Sequence, residues 1–568
     1  MTIHKHHVLN RIFSRLHLLY PNASSTLLER RMRAFIERFE EDQRETEEIS
    51  YWDERDIFLI TYADMLNQSD KTPVSVLHEF AREELNGLIS TIHLLPFFPY
   101  SSDDGFSVKN YREVDENSGE WYDIERLAQD FKLMFDFVLN HTSAKGEWFQ
   151  EFLRGVAPER NYFITLHEDT DLSKVTRPRS SPLLTEVNTN KGKKHVWTTF
   201  SADQVDLDFS NPDVLFVFLD IMLFYVEKGA DVLRMDAIAY LWKELGTNCI
   251  HHPKTHVVVK LFRDLLEIIS PETILITETN VPHEENISYF GDNDEAHIVY
   301  QFSLPPLLLH GLLNERADII TKWAAELTDT TPQQTFLNFT SSHDGIGMRP
   351  LQGLISDEEI QALANHAKKN AGRISMKRNS DGSESPYELN ITYFDALKKD
   401  SDELPQTVAR FLVSQSVMLA LKGIPAVYFN NLFGSTNYLS GFTHTGRART
   451  LNRQKWNIHN LKDQLKNDHQ HMGNVFSFYK KMLKVRRDEQ AFHPNADQRV
   501  IETENNAVFA FTRDENTILC LFNFSEKPIA IEELSLDTDL NDYQLLFSNN
   551  SDIQNELAPL SFYWMKKG

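Results

Sequence analysis

Short apolar runs recur through the middle of the chain and are separated by segments long enough to form helices. Such runs are typical of strands buried on both faces of a parallel sheet, and their alternation with helical segments is typical of βα units. Eight runs predict a parallel (β/α)₈ barrel of the TIM type rather than a sandwich. They are DIFLITY (56–62), ISTIHLL (89–95), LMFDFV (133–138), DVLRMD (231–236), TILITE (273–278), IVYQF (298–302), TFLNF (335–339) and IPAVYF (424–429).

Other parts of the chain depart from this alternation. Apolar positions three to four apart among many charges predict a helix from about Ser24 to Ser50. Long connections after the third and seventh strands predict inserted loop subdomains. After Pro494, short alternating runs with Asn and Asp turns predict an antiparallel β domain. The expected boundaries are 1–52 for an N-terminal helical extension, 53–141, 207–344 and 400–493 for the barrel, 142–206 and 345–399 for the insertions, and 494–568 for the C-terminal domain.

The charge and cysteine content narrow the possible partners. With 58 Lys and Arg against 83 Asp and Glu, the net charge is −25, which disfavours nucleic acid and anionic membranes as partners. Cys249 and Cys520 are the two cysteines and lie far apart, which favours a reducing compartment. The N-terminus lacks the apolar core of a signal peptide, and the most apolar stretch, Leu215 to Val226, is too short to span a bilayer. A cytoplasmic monomer or homodimer is expected.

Ionisable side chains stand at the C-terminal ends of four predicted strands, where barrel active sites form. One such residue is as easily a helix cap as a catalytic group, but four sets on four strands indicate an active site. The sets are Asp136 with Asn140 and His141, Arg234 with Asp236, Glu278, and His343 with Asp344.

This mixture suits cleavage of a glycoside with retention of configuration. That reaction needs one ionised carboxylate to attack the anomeric carbon and one protonated carboxyl to donate to the leaving oxygen. Arg234 lies two residues before Asp236 on one strand face and is expected to keep Asp236 ionised. Glu278 has no basic neighbour in the sequence and is the better proton holder.

Several segments together resemble a known family. DFVLNH, GADVLRMDA, ITE and SSHD resemble the four signature regions of the α-amylase superfamily, in the same order. HLLPFFPYSSDDGF, RMDAIAYLWKELGTNC, YQFSLPPLLLHGL, SSHDGIGM and LNR narrow the resemblance to its sucrose-phosphorylase subgroup. The resemblance extends from about Asp56 to about Trp456. It implies a retaining α-glucoside phosphorylase that needs inorganic phosphate as co-substrate and neither a metal nor an organic cofactor.

The resemblance also implies roles for individual residues. Asp236 resembles the nucleophile, Glu278 the acid/base and Asp344 the third carboxylate. The residues implied for the glucose subsite are Asp103, Phe106, His141, Arg234, His343 and Arg449. The residues implied for phosphate or the acceptor are Arg179, Tyr240, Tyr387 and Glu388. Holding a phosphate dianion suits arginine, and Arg177 and Arg179 lie in the third loop.

Departures from the sucrose-specific pattern bear on the acceptor. The chain has an N-terminal extension, basic residues in both long loops, and Glu388 where sucrose phosphorylases have glutamine. These features resemble the branch that contains glucosylglycerate phosphorylases, which act on 2-O-α-D-glucosyl-D-glycerate, and basic residues suit an acceptor carboxylate. The basic residues are Lys191, Lys193, Lys194, Lys377 and Arg378.

Other functions stay open on the sequence alone. Glucosylglycerol phosphorylase, sucrose phosphorylase and sucrose-6-phosphate phosphorylase are alternative activities within the subgroup. An α-glucoside hydrolase would need neither the RPR loop nor the LPPLLLHGL segment. A non-catalytic binding protein on an amylase-like barrel would be expected to lack one of the three carboxylates, yet Asp236, Glu278 and Asp344 are all present.

Overall fold

The computed structural model describes residues 3–39, 49–379, 383–466, 471–536, 538–550, 553 and 555–568. Its centre is a closed barrel of eight parallel strands, each paired with its neighbours in chain order and the last with the first. Every strand overlaps one of the eight predicted apolar runs, and the prediction of a (β/α)₈ barrel is confirmed. The strands are β1 (Phe58–Thr61), β2 (Thr91–Leu94), β3 (Lys132–Val138), β4 (Ala230–Asp236), β5 (Ile274–Thr277), β6 (Ile298–Tyr300), β7 (Thr335–Phe339) and β8 (Ile424–Tyr428).

Helices connect these strands and cover the barrel. The buried helix after β3 begins with Pro212 at its first turn, and the Asn211 side chain accepts a hydrogen bond from the Asp213 amide, which is a helix N-cap. The helices of the barrel layer are Pro73–Glu84, Trp121–Leu127, Pro212–Glu227, Pro253–Ile269, His283–Ile287, Leu304–Asn314, Asp318–Ala325, Leu404–Ala420, Leu439–Thr445, Ile458–Lys466 and His471–Arg487.

The two long connections form structured loops at the C-terminal ends of the strands. After β3, strand His141–Ser143 pairs with Gln204–Asp206, and the segment between them carries helix Glu147–Arg154 and a small sheet. After β7, helix Asp357–Lys369 precedes the antiparallel pair Arg373–Arg378 and Glu384–Asn390. The remaining short strands are Thr165–Leu166, Leu184–Thr189 and Gly192–Trp197 in the first loop and Ile346–Gly347 in the second.

The C-terminal segment forms a five-stranded antiparallel sheet, which confirms the antiparallel β structure predicted after Pro494. Successive residues of one strand face opposite sides: Phe509 and Phe511 pack into the barrel core, while Val508 and Ala510 pack into a second, smaller core. The sheet is therefore buried on both faces. Its strands are Gln498–Val500, Val508–Arg513, Ile518–Asn523, Tyr543–Ser548 and Ser561–Lys567, beside the pair Ile529–Ala530 and Glu556–Leu557.

Two helices precede the barrel, α1 (Ile3–Leu19) and α2 (Ser25–Phe39). The sequence predicts a helix from Ser24 to Ser50; α2 supplies its first part, residues 40–48 lie outside the described residues, and α1 is not predicted. The helix α1 packs on barrel helix Pro253–Ile269. Its arginines pair with a buried aspartate there, so the extension is joined to the barrel by ion pairs as well as apolar contacts. Within the part of the chain that the structure describes, no helix is long and apolar enough to cross a membrane.

Candidate active site

The strand ends and the two structured loops enclose a cavity of about 70 Å³. A wider cleft of about 650 Å³ shares five lining residues with it, namely Asp103, Arg179, Phe200, Gln204 and Arg449. Eleven of the thirteen residues implied by the resemblance line the cavity. They are Asp103, Phe106, His141, Arg179, Asp236, Glu278, His343, Asp344, Tyr387, Glu388 and Arg449.

Arg234 lies beneath the cavity and is shared between two strands. The register of β3 and β4 places Arg234 opposite Asp136, and two residues later on the same face of β4 stands Asp236. The Nη1 group of Arg234 donates to Oδ1 of Asp136 and, over 2.9 Å, to Oδ1 of Asp236. One buried guanidinium therefore serves two carboxylates.

Glu278 follows β5 directly and reaches the same point from the neighbouring strand. Its Oε2 accepts the Ala237 amide over 3.0 Å, and its Oε1 lies 4.0 Å from Nη2 of Arg234. Ala237 adopts a positive φ of 48°, which turns its N–H toward Glu278 just after Asp236. This turn therefore places the carboxylate of Glu278 next to Asp236, because Ala237, which binds Glu278, directly follows Asp236 in the chain.

Burial has the largest influence on Asp236 and Glu278 and raises the pKa of each to about 7. Arg234 opposes this rise at both groups, and the charge of Asp344 adds to it. That Arg234 keeps Asp236 ionised stays a prediction: its guanidinium lowers the pKa of Asp236, but it is shared with Asp136, and burial has the larger effect. Arg234 donates a direct hydrogen bond to Asp236 but lies 4.0 Å from Glu278. When the two carboxyls hold one proton between them, this difference favours ionised Asp236 and protonated Glu278.

A third carboxylate stands in an arginine-rich corner of the cavity. Asp344 Oδ1 lies 2.7 Å from Nη1 of Arg449, whose Nε and Nη2 donate to the two oxygens of Glu388 over 3.0 and 2.9 Å. Burial alone would raise the pKa of Asp344 and Glu388, but Arg449 and other arginines hold both below their usual range. Both groups are therefore ionised at neutral pH.

Aromatic and imidazole rings form one wall of the cavity. Phe106 stacks on His343, with ring centroids 4.6 Å apart, and the His141 Nε2 lies 2.9 Å from the Phe106 carbonyl oxygen. Burial lowers the pKa of His141 and, more strongly, that of His343, so both rings are neutral. A flat apolar ring beside neutral polar groups suits a sugar face with its hydroxyls.

Arg179 faces the same cavity from the third-strand loop. Its guanidinium stacks over the Tyr387 ring at 5.2 Å, and its Nη1 lies 3.9 Å from Oε2 of Glu388. Arg177 donates instead to the Ser181 carbonyl and supports the loop. Tyr240 packs edge-on against Phe200 beside the cavity. Arg179 is thus the cation of the RPR segment that reaches the cavity.

The lysines singled out in the loops lie elsewhere. Lys193 pairs with Glu186 over 2.9 Å on an exposed hairpin, Lys194 lies over the Phe152 ring, and Lys191 is exposed. Neither these three nor Lys377 lines the cavity or the wider cleft. That they meet an acceptor carboxylate stays a prediction, and the side chain of Arg378 lies outside the described residues; the described cations that line the cleft are arginines and one other lysine, Lys455.

Comparisons with known proteins bear on this geometry. Residues 85–349 match the model of the alpha amylase catalytic domain. The chain is 49% identical to a glucosylglycerate phosphorylase of Spirochaeta thermophila, over 83% of this chain and 81% of the relative. It is 41% identical to the Escherichia coli protein of the same name, over 91% and 92%. The chain belongs to the α-amylase family, in the branch that contains the glucosylglycerate phosphorylases.

A solved structure of the α-amylase family shows the same fold. The crystal structure of sucrose 6F-phosphate phosphorylase from Thermoanaerobacter thermosaccharolyticum aligns with a TM-score of 0.71 at 23% identity. The alignment covers 82% of this chain and 93% of that one. The likeness shows that the two chains share their fold.

Some cavity residues were not predicted. Phe200 and Asn280 line the cavity from loops, and Gln204 lines it from the short strand Gln204–Asp206; no local sequence pattern selects any of the three. Arg453 is the arginine of the quoted LNR segment; its Nη1 lies 3.6 Å from Asp103 Oδ1, and its Nε donates to the His343 carbonyl. The LNR segment is the sequence signal for Arg453, and the resemblance implies only the nearby Arg449 as a site residue.

Proposed function

We propose that this protein is a retaining α-glucoside phosphorylase that converts 2-O-α-D-glucosyl-D-glycerate and phosphate to α-D-glucose 1-phosphate and D-glycerate, in either direction. The single observation that carries the proposal is the pair Asp236 and Glu278, two buried carboxyls that share Arg234 and differ in how closely they contact it. Identities of 49% and 41% to two glucosylglycerate phosphorylases over most of each chain support the substrate.

In the first half-reaction Asp236 attacks the anomeric carbon of the glucosyl unit. The bond from that carbon to the glycerate oxygen breaks, and Glu278 donates its proton to this oxygen. Arg234 orients the attacking carboxylate. The remaining carboxylate, Asp344, is fixed by Arg449 and binds sugar hydroxyls beside the developing positive charge.

In the second half-reaction a phosphate oxygen attacks the same carbon and displaces Asp236. Glu278, now ionised, accepts the phosphate proton, so that two inversions restore the α configuration. Arg179 presents a planar, permanently charged guanidinium to the phosphate dianion. Stacking on Tyr387 holds this guanidinium in place. When phosphate binds, it replaces Glu388, at 3.9 Å, as the anion that Arg179 contacts.

The acceptor side must open for this chemistry. The cavity of about 70 Å³ is below the roughly 300–1,000 Å³ typical of ligand pockets. Arg179, Tyr387 and Glu388 all come from the two structured loops, and their contacts with one another close the cavity. Movement of these loops apart admits the glucoside, and their return excludes water from the glucosyl-enzyme.

The test is to incubate the protein with α-glucose 1-phosphate and one acceptor at a time and to measure phosphate release. Glycerate, glycerol, fructose and fructose 6-phosphate distinguish the candidate activities, and glycerate is expected to give the highest kcat/KM. Water alone as acceptor reports hydrolysis. In the reverse direction the proton NMR spectrum should show α-glucose 1-phosphate as first product; the β anomer would exclude a retaining mechanism, and no activity with glycerate would exclude the proposed acceptor.

A further inference from the structure

His93, in strand β2, is not among the described residues that line the cavity or the wider cleft. It is 1% exposed, and its Nε2 lies 2.7 Å from Oδ2 of Asp136, which is fully buried. Burial lowers the pKa of His93, so the ring is neutral. Because an ionised carboxylate only accepts hydrogen bonds, Nε2 carries the proton and donates to Asp136.

Asp136 and Asp236 compete for the charge of Arg234. A single nitrogen, Nη1, donates to one oxygen of each carboxylate. The other oxygen of Asp136 is the one that His93 occupies. A donor on that oxygen stabilises the Asp136 charge, so less of the Arg234 charge is needed there and more remains for Asp236.

We propose that His93 is a positioning residue, which acts through Asp136 to divide the Arg234 guanidinium between two carboxylates and so keeps Asp236 ionised for attack. The inference rests on the proposed function for the role of Asp236. The charged or titratable groups around Asp136 are Arg234, His93, His343, Asp236, Tyr225 and Tyr300; those around Asp236 are Arg234, Asp136, Asp344, Glu278 and Tyr111. His93 donates to the oxygen of Asp136 that Arg234 does not hold, and it does not line the cavity.

The experiment compares His93→Leu, which removes the donor, with His93→Gln, which offers an amide donor of similar reach. The rate of α-glucosyl fluoride consumption is measured against pH. This donor needs attack by Asp236 but no proton from Glu278 and no particular acceptor, so the acid limb reports the ionisation of Asp236. The matched control is His78→Leu, since His78 makes a 2.6 Å contact with Asp130 that does not involve Arg234.

In His93→Leu the acid limb of kcat/KM is expected to move to higher pH by roughly half to one unit, because Asp136 then draws Arg234 away from Asp236. His93→Gln should return the limb close to its wild-type position, and His78→Leu should not move it. The midpoint of the limb does not depend on how much active enzyme survives, so partial misfolding does not imitate the shift.

An unmoved limb in His93→Leu, or an equal shift in His78→Leu, would overturn the inference. Failure of the proposed function is a separate result: the wild-type protein would consume α-glucosyl fluoride but give no phosphate from α-glucose 1-phosphate and glycerate.

Discussion

Arg449 holds Glu388 through two parallel hydrogen bonds of 3.0 and 2.9 Å, across 61 residues of sequence. The same guanidinium reaches Asp344, and Nη1 of Arg179 lies 3.9 Å from Oε2 of Glu388, the oxygen that also accepts from Nη2 of Arg449. Glu388 thus joins the arginine expected at the glucose subsite to the arginine proposed for phosphate. On this proposal, the charge of Glu388 competes with phosphate for Arg179.

Glu388→Gln should lower the phosphate KM, because a neutral amide no longer competes for Arg179 while keeping the size of the side chain. A long ion pair with one partly exposed member contributes up to about 1 kcal/mol, so a change of roughly two- to fivefold is expected. Initial rates at varied phosphate measure it. An unchanged phosphate KM would show that Glu388 does not compete for Arg179.

Asp236→Asn should abolish turnover, because the covalent glucosyl-enzyme cannot form. Glu278→Gln should be severely impaired with glucosylglycerate but much less with α-glucosyl fluoride, whose leaving group needs no proton. Intact-protein mass spectrometry detects the glucosyl adduct. Asp231→Asn, at the opposite end of β4, is the control. Near wild-type phosphorolysis by Asp236→Asn would refute the assignment of the nucleophile.

Arg179→Ala should raise the phosphate KM and slow attack on the glucosyl-enzyme more than its formation. Loss of a charge-assisted contact costs about 1.5–3 kcal/mol, or about one to two powers of ten in rate. Water then competes better for the intermediate, so the ratio of glucose to glucose 1-phosphate should rise. Arg179→Lys should restore the ratio only partly, since an ammonium group lacks the planar fork.

The product ratio at several phosphate concentrations separates this role from a structural one. An arginine that only supports its loop predicts equal damage to both half-reactions. An unchanged ratio would therefore remove Arg179 from the phosphate site.

The pH dependence of kcat/KM should be bell-shaped and centred near pH 7. The active form has Asp236 ionised and Glu278 protonated, and burial raises the pKa of each to about 7. As the pH falls, Asp236 gains a proton and attack stops; as the pH rises, Glu278 loses its proton and the leaving group is no longer protonated. In Glu278→Gln, with α-glucosyl fluoride, the alkaline limb should disappear and the acid limb remain. Persistence of the alkaline limb would assign it to another group.

Packing of the N-terminal helix α1 on the barrel should depend on Asp264, with which two arginines of α1 pair. The Asp264 side chain is 1% exposed; Arg11 Nε donates to it over 2.9 Å, and Arg15 also pairs with it. Asp264→Ala leaves the nearly buried Arg15 with Asp294 and the Lys260 carbonyl as partners, so the expected loss lies toward the lower end of the about 3–5 kcal/mol typical of breaking a buried pair. Faster hydrogen exchange over residues 3–19 and a lower Tm measure the effect.

Glu267→Ala is the matched control for that variant. Glu267 also pairs with Arg11, but the two side chains are 28% and 41% exposed, so a loss of less than about 1 kcal/mol is expected. Equal effects of the two variants would show that burial of Asp264 does not decide the attachment.

Much of the fold was predictable because it depends on local patterns. Each barrel strand is an apolar run buried on both faces, and each is visible in the sequence as such. The period of two along a strand also suffices to predict that Arg234 and Asp236 share one face. Helix α1 was missed because four histidines, two arginines and a lysine interrupt its apolar positions, which obscures their helical spacing.

The barrel, the four sets of polar residues at its strand ends and the motifs of the α-amylase family can be read from local patterns along the chain. The sharing of charges comes from tertiary packing: Arg234 donates to Asp136 as well as Asp236, Glu388 pairs with Arg449, and the loop lysines do not line the cleft. The physical reason is that secondary structure follows from neighbours along the chain, whereas the pKa of a buried group depends on charges and burial contributed by distant segments.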